Sequence, residues 1–347
     1  MTNQTKLGIL GGGQLGRMLI QAAISYDIET KILDPNPEAP ASSFAHEFVV
    51  GKLTDYQTVM DFGKDCDVLS IEIENVNTQA LEALELQGKK VYPQAHIIRL
   101  IQNKRSQKTF YKENNIPTAD FHLIDVKSDL EKHLDFLPAV QKLAQEGYDG
   151  RGVQKLKTKA DLDLAFEAPS LIEKLVDIDK EVSIIIARNP KGEIEIYPPV
   201  ELVFHEDKNL VDYLLSPAQI TEKQTQEMNQ IAQNLVEKLN FVGLLAVELF
   251  LTKSGQILVN EIAPRTHNSG HQTIEANFTS QFEQHLRAIL DAPLGNTTNR
   301  SWAAMLNILG EEGHTGVVNY EGMEELLKQK GVYVHLYGKK ITKPFRK

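Results

Sequence analysis

LLAVELFLTKSGQILVNEIA, residues 244–263, consists of two apolar runs flanking the turn residues Lys253, Ser254 and Gly255. Runs of this kind around a short glycine-containing loop read as an antiparallel hairpin. A loop centred on Ser254-Gly255 puts Glu248 directly opposite Glu261, on one face of the pair. Like charges so placed repel, and the surrounding Ala246, Val247, Leu249, Phe250, Leu258, Val259 and Ile262 place the strands in a core. A divalent cation shared with phosphate oxygens resolves the conflict, since Mg²⁺ is commonly held by one or two carboxylates plus phosphate. The alternative is a solvent-facing pair of glutamates at a hairpin end.

A second hairpin precedes it. KEVSIIIARNPKGEIEIYPPVEL, residues 180–202, turns at Asn189 to Gly192, and an amphipathic helix over 221–239 separates the two. The N-terminal third reads differently. Strands over 7–10, 30–34, 48–50, 68–74 and 90–92 alternate with helices over 14–25, 55–63 and 78–87, which implies a parallel α/β sheet. HIIRLIQNKRSQKTFYKENNIP then reads as one helix running out of that unit and stopping before Pro117. A smaller unit follows, with a strand near Pro138–Lys142, a glycine loop, a helix from Ala160 to Phe166 and the strand SLIEKLV. The chain is thus α/β and then α+β, divided as 1–101, 102–177 and 178–347, the last ending in a basic segment.

The α/β part opens with LGILGGGQLGRMLIQAA, residues 7–23, where Gly11, Gly13 and Gly16 fit G-x-G-x-x-G and Asp34 closes the next strand. Alone, that is the fingerprint of a dinucleotide-binding turn. The antiparallel hairpins downstream argue against a doubly wound dehydrogenase. Among 347 residues the net charge is −10 with no extended Lys/Arg stripe, so the footprint of a nucleic-acid or anionic-membrane binder is missing. The single cysteine, Cys66, excludes an intrachain disulfide framework and multi-thiolate metal sites. No apolar run reaches the roughly 20 residues of a membrane helix, and no signal peptide is visible. These features describe a soluble cytoplasmic enzyme or binding module.

Two more stretches carry chemistry. EGYDGRGVQKL, residues 146–156, is a glycine loop able to turn its amides on phosphate, or an ordinary surface turn. NEIAPRTHNSGHQTIEA, residues 260–276, places His267 and His271 four apart, but the poor helix formers between them disfavour a zinc pair. A polar ligand-binding loop fits better, with Asn268 or Ser269 capping the helix that follows.

Taken together, GGGQLGRM, EIENV (72–76), GYDGRG (147–152), AVELF (246–250), NEIAPRTHNSGHQTIEA and HLYGK (335–339) resemble the ATP-grasp superfamily, and within it the 5-(carboxyamino)imidazole ribonucleotide synthetase family. The resemblance covers nearly the whole chain, and HNSGH with GYDGRG is its specific part. LAQE stands before GYDG where the family usually has basic residues. The implied fold is a Rossmann-like pre-ATP-grasp domain followed by a two-lobed ATP-grasp fold with an antiparallel sheet. The implied activity is ATP- and bicarbonate-dependent carboxylation of 5-aminoimidazole ribonucleotide in purine biosynthesis, by a homodimer using Mg²⁺.

The resemblance also implies roles. Gly13, Gln14 and Leu15 approach the ribonucleotide and Glu74 its ribose, with Asn268 and Ser269 nearby. Lys104 and Lys142 contact the ATP phosphates, covered by Gly147, Tyr148, Asp149, Gly150, Arg151, Gly152 and Val153. Glu173, Lys174, Leu175 and Val176 meet the adenine, Glu181 the ATP ribose, and His205 and Asn260 are further nucleotide contacts. Glu248 and Glu261 hold Mg²⁺, and Arg265 orients bicarbonate. Tyr148, Asp149 and His271 guide the substrate amine, while Lys339 and Arg346 take the 5′-phosphate. Rival readings are a formate-dependent ribonucleotide transformylase or biotin carboxylase, an NAD-dependent dehydrogenase, and a nucleotide-sensing module.

Overall fold

The computed structural model describes residues 5–145, 152–204 and 211–345. Strands β1 (Lys6–Leu10), β2 (Glu29–Asp34), β3 (Glu47–Val50), β4 (Val68–Ile71) and β5 (Lys90–Val91) form one sheet, ordered β3-β2-β1-β4-β5 and parallel throughout. Leu7, Ile9, Leu10 and Leu69 are fully buried, because helices cover both faces of such a sheet. Helix α1 (Gln14–Ile24) covers one face with Leu19, Ile20 and Ala23. Helices α2 (Tyr56–Gly63), α3 (Thr78–Leu86) and α4 (Ala95–Ile101) cover the other.

The single helix expected from His96 and stopping before Pro117 is two helices. α4 stops at Ile101, and Asn103 in extended conformation caps α5 (Lys104–Glu113), its Oδ1 accepting from the Arg105 and Ser106 N–H groups. Asparagine competes for backbone donors better than it continues a helix, which breaks the apolar repeat. The break has a consequence for the site: Lys104 and Lys108 lie one turn apart on a new axis.

A four-stranded antiparallel sheet follows, β6 (Phe121–Ile124), β7 (Ala139–Leu143), β8 (Val153–Leu156) and β9 (Ser170–Lys174), ordered β6-β9-β7-β8. The helix expected over Ala160–Phe166 is a 3₁₀ turn, Lys159–Leu164, started by Asp161 accepting from the Lys157 and Thr158 N–H groups. So short a segment does not repay α-helix nucleation.

The large sheet uses β10 (Ile178–Arg188), β11 (Ile194–Ile196), β12 (Val200–Phe204) and β13 (Val211–Ser216) before helix α6 (Glu222–Lys238). After α6 come β14 (Gly243–Thr252) and β15 (Ile257–Ala263), the short helix α7 (Thr273–Ala276), helix α8 (Gln281–Ile289) and strand β16 (Ala303–Leu306). Strand order is β15-β14-β10-β12-β13-β16, antiparallel, with β11 paired to the far end of β10. The expected hairpin over 180–202 is therefore split between β11 and β12, with Pro198 and Pro199, which cannot donate to a ladder, in between. Helix α6 packs on one face against Val182, Ile184, Ile186, Val247, Leu249 and Val259. A thinly packed C-terminal unit carries β17 (Gly316–Val317), α9 (Met323–Leu327) and β18 (Ile341–Thr342).

Helix α8 fastens the first sheet to the large one. Its Phe282, Leu286 and Ile289 share a core with Leu7, Ile9 and Ile32 of the first sheet, each side chain contributing about 1.5–3 kcal/mol of burial. On the same helix, buried His285 reaches the Ser70 Oγ of β4 at 2.9 Å. Burial lowers its pKa to about 4. A histidine whose folded pKa lies below its unfolded value near 6.5 contributes stability above 6.5 that is lost as pH falls from there through 4, about 3 kcal/mol in all. His285→Gln, which keeps a partner for Ser70, is expected to flatten the fall in melting temperature between those pH values. Identical slopes for the two proteins would count against this.

Candidate active site

The register of the 244–263 hairpin places Glu248 opposite Glu261, as expected, but by another route. Next to the turn the pairs are Leu251 with Ile257, Phe250 with Leu258 and Leu249 with Val259, a frame in which Glu248 would face Asn260. A β-bulge skips Asn260 and restores the glutamate pair. The bulge also breaks strand alternation. Val259 and Ile262 both point into the α6 core, which leaves Asn260 and Glu261 consecutive on the opposite face. That face also carries Ser183, paired with Glu248, and Glu181, two residues along β10.

Lysines from the small lobe meet this face. Lys104 Nζ lies 2.8 Å from Glu261 Oε2, and Lys142 Nζ donates to Asn260 Oδ1 at 2.9 Å. Lys142 also pairs with Glu173 Oε2 at 2.8 Å, while Glu173 Oε1 pairs with Lys108 Nζ at 3.0 Å. Lys108 further donates to Thr118, whose hydroxyl donates to the Val259 carbonyl at 2.6 Å. Glu173 is 4% exposed and spans two lysines, so its carboxylate is engaged within the protein. What leads from β9 to β10 is an open connection in which Leu175 presents an exposed apolar side chain and Val176 is half-buried. Lys174 turns away, donating to the Phe136 and Leu137 carbonyls.

Electrostatics follow from the burial. Burial, then Glu261 and Glu181, push the Glu248 carboxyl well up. Burial acts the same way on Glu261, but Lys104 outweighs it and holds that carboxyl down. Glu181 is pushed up to about 7 by burial. Three carboxylates on one face with one directly paired lysine make a site short of positive charge, which fits a bound cation. Among the described residues no group of three His, Cys, Asp or Glu forms a self-sufficient metal cage. Two carboxylates that leave the remaining positions to phosphate and water suit Mg²⁺.

The glycine turn of α1 is already filled by carboxylates. Glu72 accepts from the Gly13 and Leu15 N–H groups, both at 3.2 Å, and Asp34 Oδ2 accepts from Gly12 N–H at 2.7 Å. A Cβ on Gly13 would come within 2.5 Å of the Glu72 carboxylate, so the glycine serves close approach by a side chain. Burial pushes Glu72 up, while the Gly13 N–H and the Arg265 charge pull it down. A dinucleotide pyrophosphate would have to displace these two carboxylates. NADH is accordingly expected to show no saturable fluorescence change, and saturation at micromolar concentration would defeat that expectation.

Glu74, next but one to Glu72, takes Arg265 in a fork, with Nε at 2.9 Å from Oε1 and Nη2 at 3.2 Å from Oε2. Gln14 Nε2 lies 2.9 Å from His271 Nε2 across 257 residues of sequence. Gln281 holds this loop in place: its Oε1 accepts from His267 N–H, its Nε2 donates to the His267 carbonyl, and the same Nε2 lies 3.3 Å from His271 Nδ1.

His267 points elsewhere, its Nε2 3.6 Å from Glu248 and its Nδ1 2.9 Å from Ser269 Oγ. The two histidines thus serve different ends of the cleft rather than one zinc ion. Neither Asn268 nor Ser269 caps a helix. His267 accepts from Ser269 N–H to start a 3₁₀ turn over Asn268–Gly270, because its ring nitrogen reaches that amide, and α7 has no side-chain cap. Ser269 Oγ is buried against Ser183 at 2.7 Å, and Asn268 Oδ1 is buried without a partner.

Gly147, Tyr148, Asp149, Gly150, Arg151, His205 and Arg346 lie outside the described residues. Gly152 and Val153 open β8, where Val153 pairs with Lys142. Lys339 follows Gly338, which packs against Arg17 of α1, so the C-terminal segment returns to the glycine turn. Lys108 and Glu72 escaped the sequence reading. Lys108 was one lysine among several in a polar helix, while Glu72 stood in plain view two residues before Glu74.

Three family profiles match the chain: a ribonucleotide synthetase preATP-grasp domain over 4–102, an ATP-grasp domain over 109–282, and a phosphoribosylaminoimidazole carboxylase C-terminal domain over 303–347. A chloroplastic phosphoribosylaminoimidazole carboxylase of Vigna aconitifolia is 41% identical over 98% of the chain, which spans 62% of that longer protein. The crystal structure of N5-carboxyaminoimidazole ribonucleotide synthetase from Thermotoga maritima is 42% identical, with TM-score 0.91, covering 99% of this chain and 92% of that one. N5-carboxyaminoimidazole synthase of Aspergillus clavatus, crystallised with ADP and aminoimidazole ribonucleotide, is 33% identical, with TM-score 0.91, covering 100% of this chain and 93% of that one.

Proposed function

The chain belongs to the N5-carboxyaminoimidazole ribonucleotide synthetase family of ATP-grasp proteins, and from that premise we propose that it carboxylates 5-aminoimidazole ribonucleotide with ATP and bicarbonate, by way of carboxyphosphate, in purine biosynthesis. Two contacts support the reading: Gln14 with His271 and Arg265 with Glu74 join the first domain to the loop that follows the hairpin bearing the paired glutamates.

Phosphoryl transfer demands positioning and charge neutralisation above all. Lys104 and Lys142 supply cations from the small lobe, and Glu173 holds Lys142 in place. Leu175 and Val176, in the connection between lobes, offer an apolar seat and backbone groups to adenine, and Glu181 faces the ATP ribose. When bound at Glu248 and Glu261, Mg²⁺ neutralises charge on the phosphate oxygens. Arg265, already oriented by Glu74 and by its bond to the Thr266 carbonyl, directs bicarbonate toward the terminal phosphate. His271, beside Gln14, holds the ribonucleotide, and Tyr148 and Asp149 keep the role toward the substrate amine that the resemblance gives them. Keeping water from the reacting groups spares carboxyphosphate from hydrolysis.

No helix of the described residues is long and apolar enough to cross a membrane. A cytoplasmic homodimer is part of the same proposal, and sedimentation at micromolar concentration tests it. The decisive experiment measures ADP release with each reactant varied singly. Release is expected to require aminoimidazole ribonucleotide and bicarbonate together and to ignore NAD. Release that depends on formate instead would move the chain to the transformylase reading.

A further inference from the structure

Cations near the glycine turn of α1 have carboxylate partners: Arg265 has Glu74, and Lys340 has Glu38 at 3.1 Å. Arg17 has none: no ion pair joins it to any carboxylate among the described residues, and its Nε is buried without an acceptor. In a chain of net charge −10, a guanidinium with no carboxylate partner among the described residues calls for an explanation.

Its position is nevertheless held. The guanidinium carbon sits 4.3 Å from the centroid of the Phe44 ring. Its Nη1 lies against Gly338, where any Cβ would overlap it and where the backbone is left-handed at φ 74. The left-handed backbone favours glycine at 338, and Lys339 follows directly. Arg17 is three residues beyond Gln14, on the same face of α1 and about 4.5 Å further along the axis. The C-terminal segment is anchored there by Tyr337 in the α1 core, by Lys340 on Glu38 and by His335 on Glu275.

We propose that Arg17 is a direct contact for the 5′-phosphate of the ribonucleotide, bridging that anion between α1 and the segment that carries Lys339. The proposal rests on the functional reading above. A planar fork of N–H donors, held in place but given no acceptor among the described residues, matches phosphate oxygens, and a dianion supplies the counter-charge. Phosphate binding would also tie the thinly packed C-terminal unit to the first domain.

Arg17→Met keeps an apolar stem over Phe44 and removes the donors; Arg17→Lys keeps the charge and removes the fork. The readouts are KM for aminoimidazole ribonucleotide, KM for ATP, and competitive inhibition by ribose 5-phosphate. In Arg17→Met the ribonucleotide KM and the ribose 5-phosphate Ki are expected to rise together by about 10- to 100-fold with KM for ATP unchanged. Arg17→Lys is expected to fall between, and it carries the test alone should the methionine variant not fold. An unchanged ribonucleotide KM overturns the proposal, and so does a parallel rise in the ATP KM, which marks a structural role. A wild-type protein whose ADP release ignores the ribonucleotide overturns the functional reading itself, a result visible before any variant is made.

Discussion

Glu248→Gln and Glu261→Gln are each expected to lower ATP turnover by at least about a hundredfold, through several kcal/mol of lost charge stabilisation. Their stabilities part company. Glu248 is pushed up by burial and by the neighbouring carboxylates, so neutralising it relieves repulsion, and the metal-free protein is expected to melt at or above the wild-type temperature. Glu261 receives Lys104, so neutralising it weakens a charge-assisted bond and lowers the melting temperature. Turnover assays at saturating Mg²⁺, with melts in the presence and absence of the metal, check both halves. Near wild-type turnover in either variant removes the pair from the metal site. A reversed order of melting temperatures would show that Lys104 does not rest on Glu261 in solution.

Glu173→Ala is the second large effect. The substitution strands Lys108 and Lys142 around a buried cavity, and breaking a buried ion pair from one side costs about 3–5 kcal/mol. The small lobe is expected to lose protection in hydrogen exchange, with β7 and β9 opening first. A double variant, Glu173→Leu with Lys108→Met, replaces the buried charges by apolar groups of similar size and is expected to regain most of that stability. It is not expected to regain ATP affinity, because Lys142 has lost its anchor. Full recovery of both properties in the double variant would show that Glu173 has no part in placing Lys142.

The parallel-then-antiparallel order of the chain was legible because each element carries its own period. Strands of the first sheet are continuous apolar runs, and the hairpins alternate around turn residues. Motif matching reached Gln14, Glu74, Glu248, Glu261, Arg265 and His271, and the structure pairs them as Gln14 with His271, Glu74 with Arg265 and Glu248 with Glu261. What local pattern could not reveal were features made by competition between neighbours. A polar Asn103 splits a helix that the apolar repeat alone would have continued, and the skipped Asn260 reverses which face its successors occupy.

Composition, turn chemistry and periodicity thus determined the order of sheets and the presence of the glutamate hairpin, since these depend on each residue and its near neighbours. Tertiary structure alone decided partners. Glu72 accepts from the α1 turn, Glu173 lies between Lys108 and Lys142, His267 turns to Glu248 while His271 meets Gln14, and Gly338 returns to Arg17. The physical reason is range. Backbone sterics and one-sided burial act within an element, whereas a buried charge takes whichever opposite charge the packing of distant elements brings within about 3 Å.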